Sequence, residues 1–107
     1  MRIFALLFAL AMAGSTVMQA EEYIGYLADQ KCAKAGNGTS EGHANCSRTC
    51  VKNGEPIVFV EDVEKKIYKV VEGLELAESH VGHKVRIEAK LEGEGDDAVV
   101  KITSVTK

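Results

Sequence analysis

Cys32, His43, Cys46 and Cys50 are the residues of this chain whose types and spacing suit chemistry. His43, Cys46 and Cys50 fall at i, i+3 and i+7, so a helix there puts all three on one face, neighbours about 5–6 Å apart at Cβ. Cys32 reaches the same place from the end of the preceding strand, across a glycine-rich loop. Three thiolates and one imidazole make the ligand set of a closed tetrahedral site, and soft sulfur donors favour zinc or cuprous copper. Only Cys46-x-x-x-Cys50 has the spacing of a zinc knuckle, however. The same cysteines suit a disulfide from Cys32 to Cys46 or Cys50, closing a loop of about 15 residues and worth roughly 3 kcal/mol in the chain-entropy model. A Cys46–Cys50 bond inside an intact helix is strained. An odd cysteine count leaves one thiol over, so His43 with one free thiol can also hold copper weakly beside a disulfide. A redox-reactive thiol is a third use, although Cys46 and Cys50 have three residues between them where a thioredoxin-like site has two.

Other polar residues have simpler explanations. His80 and His83 flank Gly82; two histidines three apart can chelate, but helix-terminal histidines commonly meet the last carbonyls. Asp29, three before Cys32, reads as a turn or cap residue. Glu92, Glu94, Asp96 and Asp97 form a solvated turn rather than a calcium cluster. No G-x-S-x-G elbow, H-E-x-x-H pair or phosphate loop occurs, so catalytic templates fit poorly. Asn37-Gly38-Thr39 and Asn45-Cys46-Ser47 match the glycosylation acceptor pattern.

The elements that position these residues follow an apolar leader. Arg2, the run Ile3–Ala13 and a small-residue exit at Ala20 have the order of a signal peptide. The run is shorter than the roughly 18 residues of a membrane span. Residues 1–20 are therefore expected to be removed and residues 21–107 to form one domain outside the cytoplasm, secreted or periplasmic, with no membrane contact after cleavage. An oxidising compartment makes disulfides the ordinary use of cysteine. The charges are mixed and net acidic, −3 over the whole chain, which argues against a nucleic-acid surface.

Glu22–Asp29 reads as a first strand, Gln30–Gly42 as a loop and His43–Asn53 as a helix stopped by Gly54 and Pro56. Pro56–Asp62 has the composition of a buried strand, with Lys66–Val71 as its hairpin partner. A short helix from Gly73 puts Leu74, Ala77 and Val81 on one face. Lys84–Glu92 alternates strictly, with Val85, Ile87, Ala89 and Leu91 turned to the core. The turn Gly93–Asp97 leads to Ala98–Val105, whose looser alternation accommodates a bulge. The expected fold class is mainly β: a five-stranded OB-fold-like barrel, with a cysteine-bearing helical insertion after strand 1 and a short helix between strands 3 and 4. An open antiparallel sheet with a packed helix is the alternative.

The string G-Y-L-A-D-Q-K-C from Gly25, then H-A-N-C-S-R-T-C-V-K-N-G from His43 and G-H-K-V-R-I from Gly82 resembles a family of small exported bacterial OB-fold proteins of unknown function. The resemblance spans nearly all of residues 21–107 and implies fold and location, not activity. The chain departs from that pattern at Ile87-Glu88-Ala89, where a Thr-Gly pair is expected. Taken together, these readings describe an exported, non-enzymatic binding module that holds zinc or copper on a Cys/His cluster. The alternative is a disulfide-stapled structural domain of the cell envelope that contacts a protein or glycan partner and holds no metal.

Overall fold

In the computed structural model, which describes residues 20–36, 39 and 41–107, five strands form the larger part of the regular secondary structure. They are β1 (Glu21–Asp29), β2 (Ile57–Glu61), β3 (Ile67–Glu72), β4 (Lys84–Glu92) and β5 (Val99–Thr106). Each lies within one residue of the segment expected from hydrophobic periodicity. The leader, residues 1–19, and Asn37 with Gly38 lie outside the described residues.

The strands close on themselves in the order β1-β2-β3-β5-β4. β1 makes this possible by serving two neighbours. Its first part, Glu21–Tyr26, pairs with β4, while Gly25–Asp29 pairs with β2. The ring is completed by a parallel β3–β5 pairing and an antiparallel β4–β5 pairing. In the last of these, Glu88 faces Ser104 while Ala89 faces Ile102, so Thr103 is the extra residue of a bulge. Its hydroxyl donates to the Glu88 carbonyl at 3.0 Å. The looser alternation of this segment thus has the expected cause.

Inside the ring, Leu27, Ile57, Phe59, Val70, Val85, Ile87, Ala89, Val100 and Ile102 form one apolar cluster. A short helix, α3 (Leu74–Glu78), bridges β3 and β4 and adds Ala77, with Val81 following it. Leu74 was expected on the same face and is instead 44% exposed. The helix is only five residues long, and so short a segment commits one position rather than a stripe to the core.

β2 is buried on both faces, which explains its uninterrupted run of apolar residues. Ile57 and Phe59 point into the ring. Val58 and Val60 are covered from outside by Ala33 and Ile67. Ala33 belongs to α1 (Gln30–Lys34), a helix in a segment read as loop. The correction has a local and a tertiary cause: Asp29 caps the helix, and Ala33 buries apolar surface that β2 would otherwise expose. Glycine-rich chain begins only at Gly36.

Candidate metal centre

The candidate site is formed by two helices laid against the outside of β1. Asp29 ends the strand with extended backbone (φ −80°, ψ 151°), and its side chain accepts the Cys32 backbone N–H at 2.9 Å. This is an N-cap bond to the third helical residue, and it fixes Cys32 one turn from the end of β1. The second helix, α2 (Ala44–Lys52), carries Cys46 and Cys50 four residues apart and hence on one face. It ends in a Schellman arrangement: Gly54, at φ +106°, donates to the Val51 carbonyl, and Glu55 donates to that of Cys50, both at 3.0 Å.

The start of α2 is seated on the loop that precedes β4. Ala44 packs against Gly82, where a Cβ would stand 2.6 Å from both the Ala44 Cα and its Cβ. Arg48 donates to the Val81 carbonyl at 3.4 Å and also pairs with Asn45. Glu41, in the 3-10 turn Glu41–His43 that leads into the helix, reaches His83 Nδ1 at 3.1 Å and the Lys84 N–H at 3.3 Å.

This seating brings the three thiols together. The Sγ atoms of Cys32, Cys46 and Cys50 all lie within 4.8 Å of one another, with Cys32 and Cys46 at 3.9 Å. Sulfurs bound at about 2.3 Å to one ion stand roughly 3.8 Å apart in a tetrahedron and roughly 4.0 Å apart in a trigonal plane. The thiols are therefore already spaced nearly as a shared ion requires. All three are free, and 3.9 Å is close to twice the bonded distance of about 2.05 Å. The expected disulfide is thus not formed here.

His43 does not join the group. It sits at the N-cap position of α2 with φ −103° and ψ 13°, exposed and outside the regular turn. The i, i+3, i+7 argument needs residue 43 inside the α-helix. The helix begins one residue later, and the preceding 3-10 turn winds differently. His80 and His83 are also separate: His80 Nδ1 meets the Leu76 carbonyl at 3.4 Å, the expected helix-end contact, and His83 meets Glu41. The acidic turn at Glu92–Asp97 joins no metal-capable group of three among the described residues.

Burial, followed by the Asp29 carboxylate, sets the electrostatics of the site. Asp29 is fully buried, as is Ser47 on the neighbouring turn of α2. Burial pushes the Asp29 carboxyl up, but the hydrogens of the Cys32 backbone and thiol, the Ser47 hydroxyl and its own N–H hold it below its ordinary value. Burial pushes the Cys32 thiol up to about 12, helped by hydrogen bonding to Asp29 and Cys46 and by their charge. Cys50 is raised by burial and then by the charge of Asp29. Thiols shifted this way are neutral and weakly nucleophilic near pH 7, which disfavours a redox-reactive role. A metal ion binds such thiols by displacing their protons.

Sequence reasoning treated Asp29 as a cap only and missed its place beside the thiols. The signal available was its spacing, three residues before Cys32. Reasoning also missed an open cleft of about 830 Å³ on the other side of α1, where Lys34, Lys65, Lys66, Lys69, Gln30 and Tyr68 are drawn together. No family model matches the chain, and no curated protein or solved structure matches it either.

Proposed function

We propose that the protein is a small exported, non-enzymatic binding module with an OB-fold-like barrel, and that it holds one zinc or cuprous ion on Cys32, Cys46 and Cys50. The observation that carries this reading is the mutual approach of the three Sγ atoms within 4.8 Å. The strand order β1-β2-β3-β5-β4, with a helix between β3 and β4, supports the OB-like assignment. The apolar leader and the resemblance noted above support export. In the test, the exported protein is purified reduced, loaded with zinc or cuprous copper and analysed for bound metal. About one ion per chain is expected; Cys46→Ser and Cys50→Ser each lose it, and His43→Ala keeps it. Intact mass of the same material should correspond to a chain starting at Glu21. A protein that binds neither metal when fully reduced overturns the reading.

The lysine-lined cleft favours a second reading, in which the barrel surface binds an acidic glycan. Four ammonium groups suit carboxylated sugars, and Tyr68 offers a ring for stacking, although Glu94 and Asp96 also line the cleft. Titration calorimetry with a polyuronate, repeated on Lys66→Glu, tests it. Absence of heat from the unsubstituted protein removes this second reading.

A further inference from the structure

Helix α1 belongs to two sites at once. Gln30 and Lys34 are four residues apart, share one of its faces and line the lysine cleft. Cys32 is two residues from each, about 200° around the helix axis, and meets Cys46 and Cys50 of α2 on the far side. Between the two faces Ala33 is seated on Val58 and Val60, with Ile67 packed against the same cluster. Val58 and Ile67 also line the cleft, so the surface that α1 docks on continues into it.

The hold on α1 is uneven along its length. Its start is tied down: the Gln30 N–H donates to the Pro56 carbonyl at 3.0 Å, and Asp29 accepts the Cys32 N–H at 2.9 Å. Its end has the Ala35 N–H on the Lys31 carbonyl at 3.2 Å, the Gly36 N–H on that of Ala33 at 3.0 Å, and a single buried side chain, Ala33. Lys34, Ala35 and Gly36 are exposed. A helix of five residues is far shorter than the roughly 12–15 at which helices become even marginal in water, so its closure depends on what its two faces touch.

We infer that α1 is a two-state element coupling the thiol cluster to the cleft, so that an ion bound by the thiols raises the cleft's affinity for a carboxylated sugar. The inference rests on the metal-binding and acidic-glycan readings above and adds how the first site regulates the second. Without metal, the last turn of α1 opens part of the time, and a sugar bound by Gln30 and Lys34 must close it. An ion shared by Cys32 and the two thiols of α2 closes the turn beforehand, which removes that cost. Linkage then requires the sugar to raise metal affinity by the same factor. Charge acts the other way. A divalent ion that displaces three thiol protons leaves the site one negative charge richer, which by itself weakens the binding of a nearby anion. The sign of the effect therefore separates a shared helix from a shared field.

The test uses the full exported protein, reduced, in zinc-loaded and metal-free forms with unbound metal removed, and a short uronate oligosaccharide as the probe. Titration calorimetry should show the zinc-loaded form binding the probe about fivefold more tightly or better. Cys46→Ser given the same zinc treatment should match the metal-free form, because it loses the ion and leaves α1 unaltered. With no sugar present, hydrogen exchange at the Ala35 and Gly36 amides should slow by about fivefold or more on zinc loading. Equal affinity in the two forms, weaker binding by the zinc-loaded form, or unchanged exchange at those amides overturns the inference alone, since both ligands then bind. A protein that takes up no zinc removes the metal-binding reading, and a zinc-loaded protein that gives no heat with the probe removes the acidic-glycan one; the inference falls with either.

Discussion

Replacing Gly82 with alanine tests whether the thiol cluster depends on how α2 is seated. Gly82 has φ +94°, and an alanine held there costs about 1–3 kcal/mol in backbone strain. The new methyl would also stand 2.6 Å from the Ala44 Cα and Cβ, roughly 1 Å inside ordinary contact. Relieving that overlap displaces the start of α2 and adds a further cost of about 1–3 kcal/mol, as overpacked sites do. The sum, about 2–6 kcal/mol, is a large part of the roughly 4–13 kcal/mol expected for a domain of this length. Thermal denaturation of reduced protein should show Tm lowered by at least about 10 °C. Thiol titration with a disulfide reagent at low temperature should show faster labelling, because withdrawing α2 separates Cys46 and Cys50 from Cys32 and opens the site. Adding Ala44→Gly should not rescue the variant, since the Ala44 Cα is as close as its Cβ. A Gly82→Ala protein that melts within about 2 °C of the unsubstituted one would refute the proposed seating, and rescue by Ala44→Gly would show the steric account to be wrong.

Other consequences follow from the ring and from the buried thiol. Ile87 is fully buried, so Ile87→Asp should unfold the domain by placing an unpaired charge in the core at a cost of several kcal/mol. Arg86→Asp, which removes an exposed 3.6 Å pair with Glu22, should cost less than about 1 kcal/mol; similar urea midpoints for the two would show the register of β4 to be wrong. Cys32 is raised from 9.0 to about 12, so above pH 9 the unfolded chain loses a proton that the folded chain keeps. Its contribution to stability is therefore full below pH 9 and is lost as the pH rises toward 12. Urea titrations at several alkaline pH values should show stability falling in that window, with a shallower slope in Cys32→Ser; equal slopes contradict the buried-thiol account.

Several elements could be read directly from the chain because their cause is local. Lys84–Glu92 alternates with period two, and a half-buried strand needs nothing more, so Val85, Ile87 and Ala89 are buried as expected. The apolar run from Ile57 identified a fully buried strand, and the four-residue spacing of Cys46 and Cys50 placed both on one helical face. What failed depended on a boundary or on packing. His43 left the site because the helix starts at Ala44, a one-residue difference that capping and the Gly82 contact decide and that periodicity does not record. Helix α1 was missed because its stability comes from Asp29 and from the surface of Val58 and Val60, which becomes available only once β2 has joined the ring. The thiol cluster itself needs β1 to bring Cys32 beside a helix that begins twelve residues later, and the lysine cleft gathers side chains from separate segments. The sequence by itself determined which strands form and which face of each is buried, since those follow from side-chain order along an extended backbone. Only the tertiary structure decided that Cys32, with Asp29 buried at the start of its helix, would meet Cys46 and Cys50, because the meeting of two helices across β1 is a property of the closed ring and of no single segment.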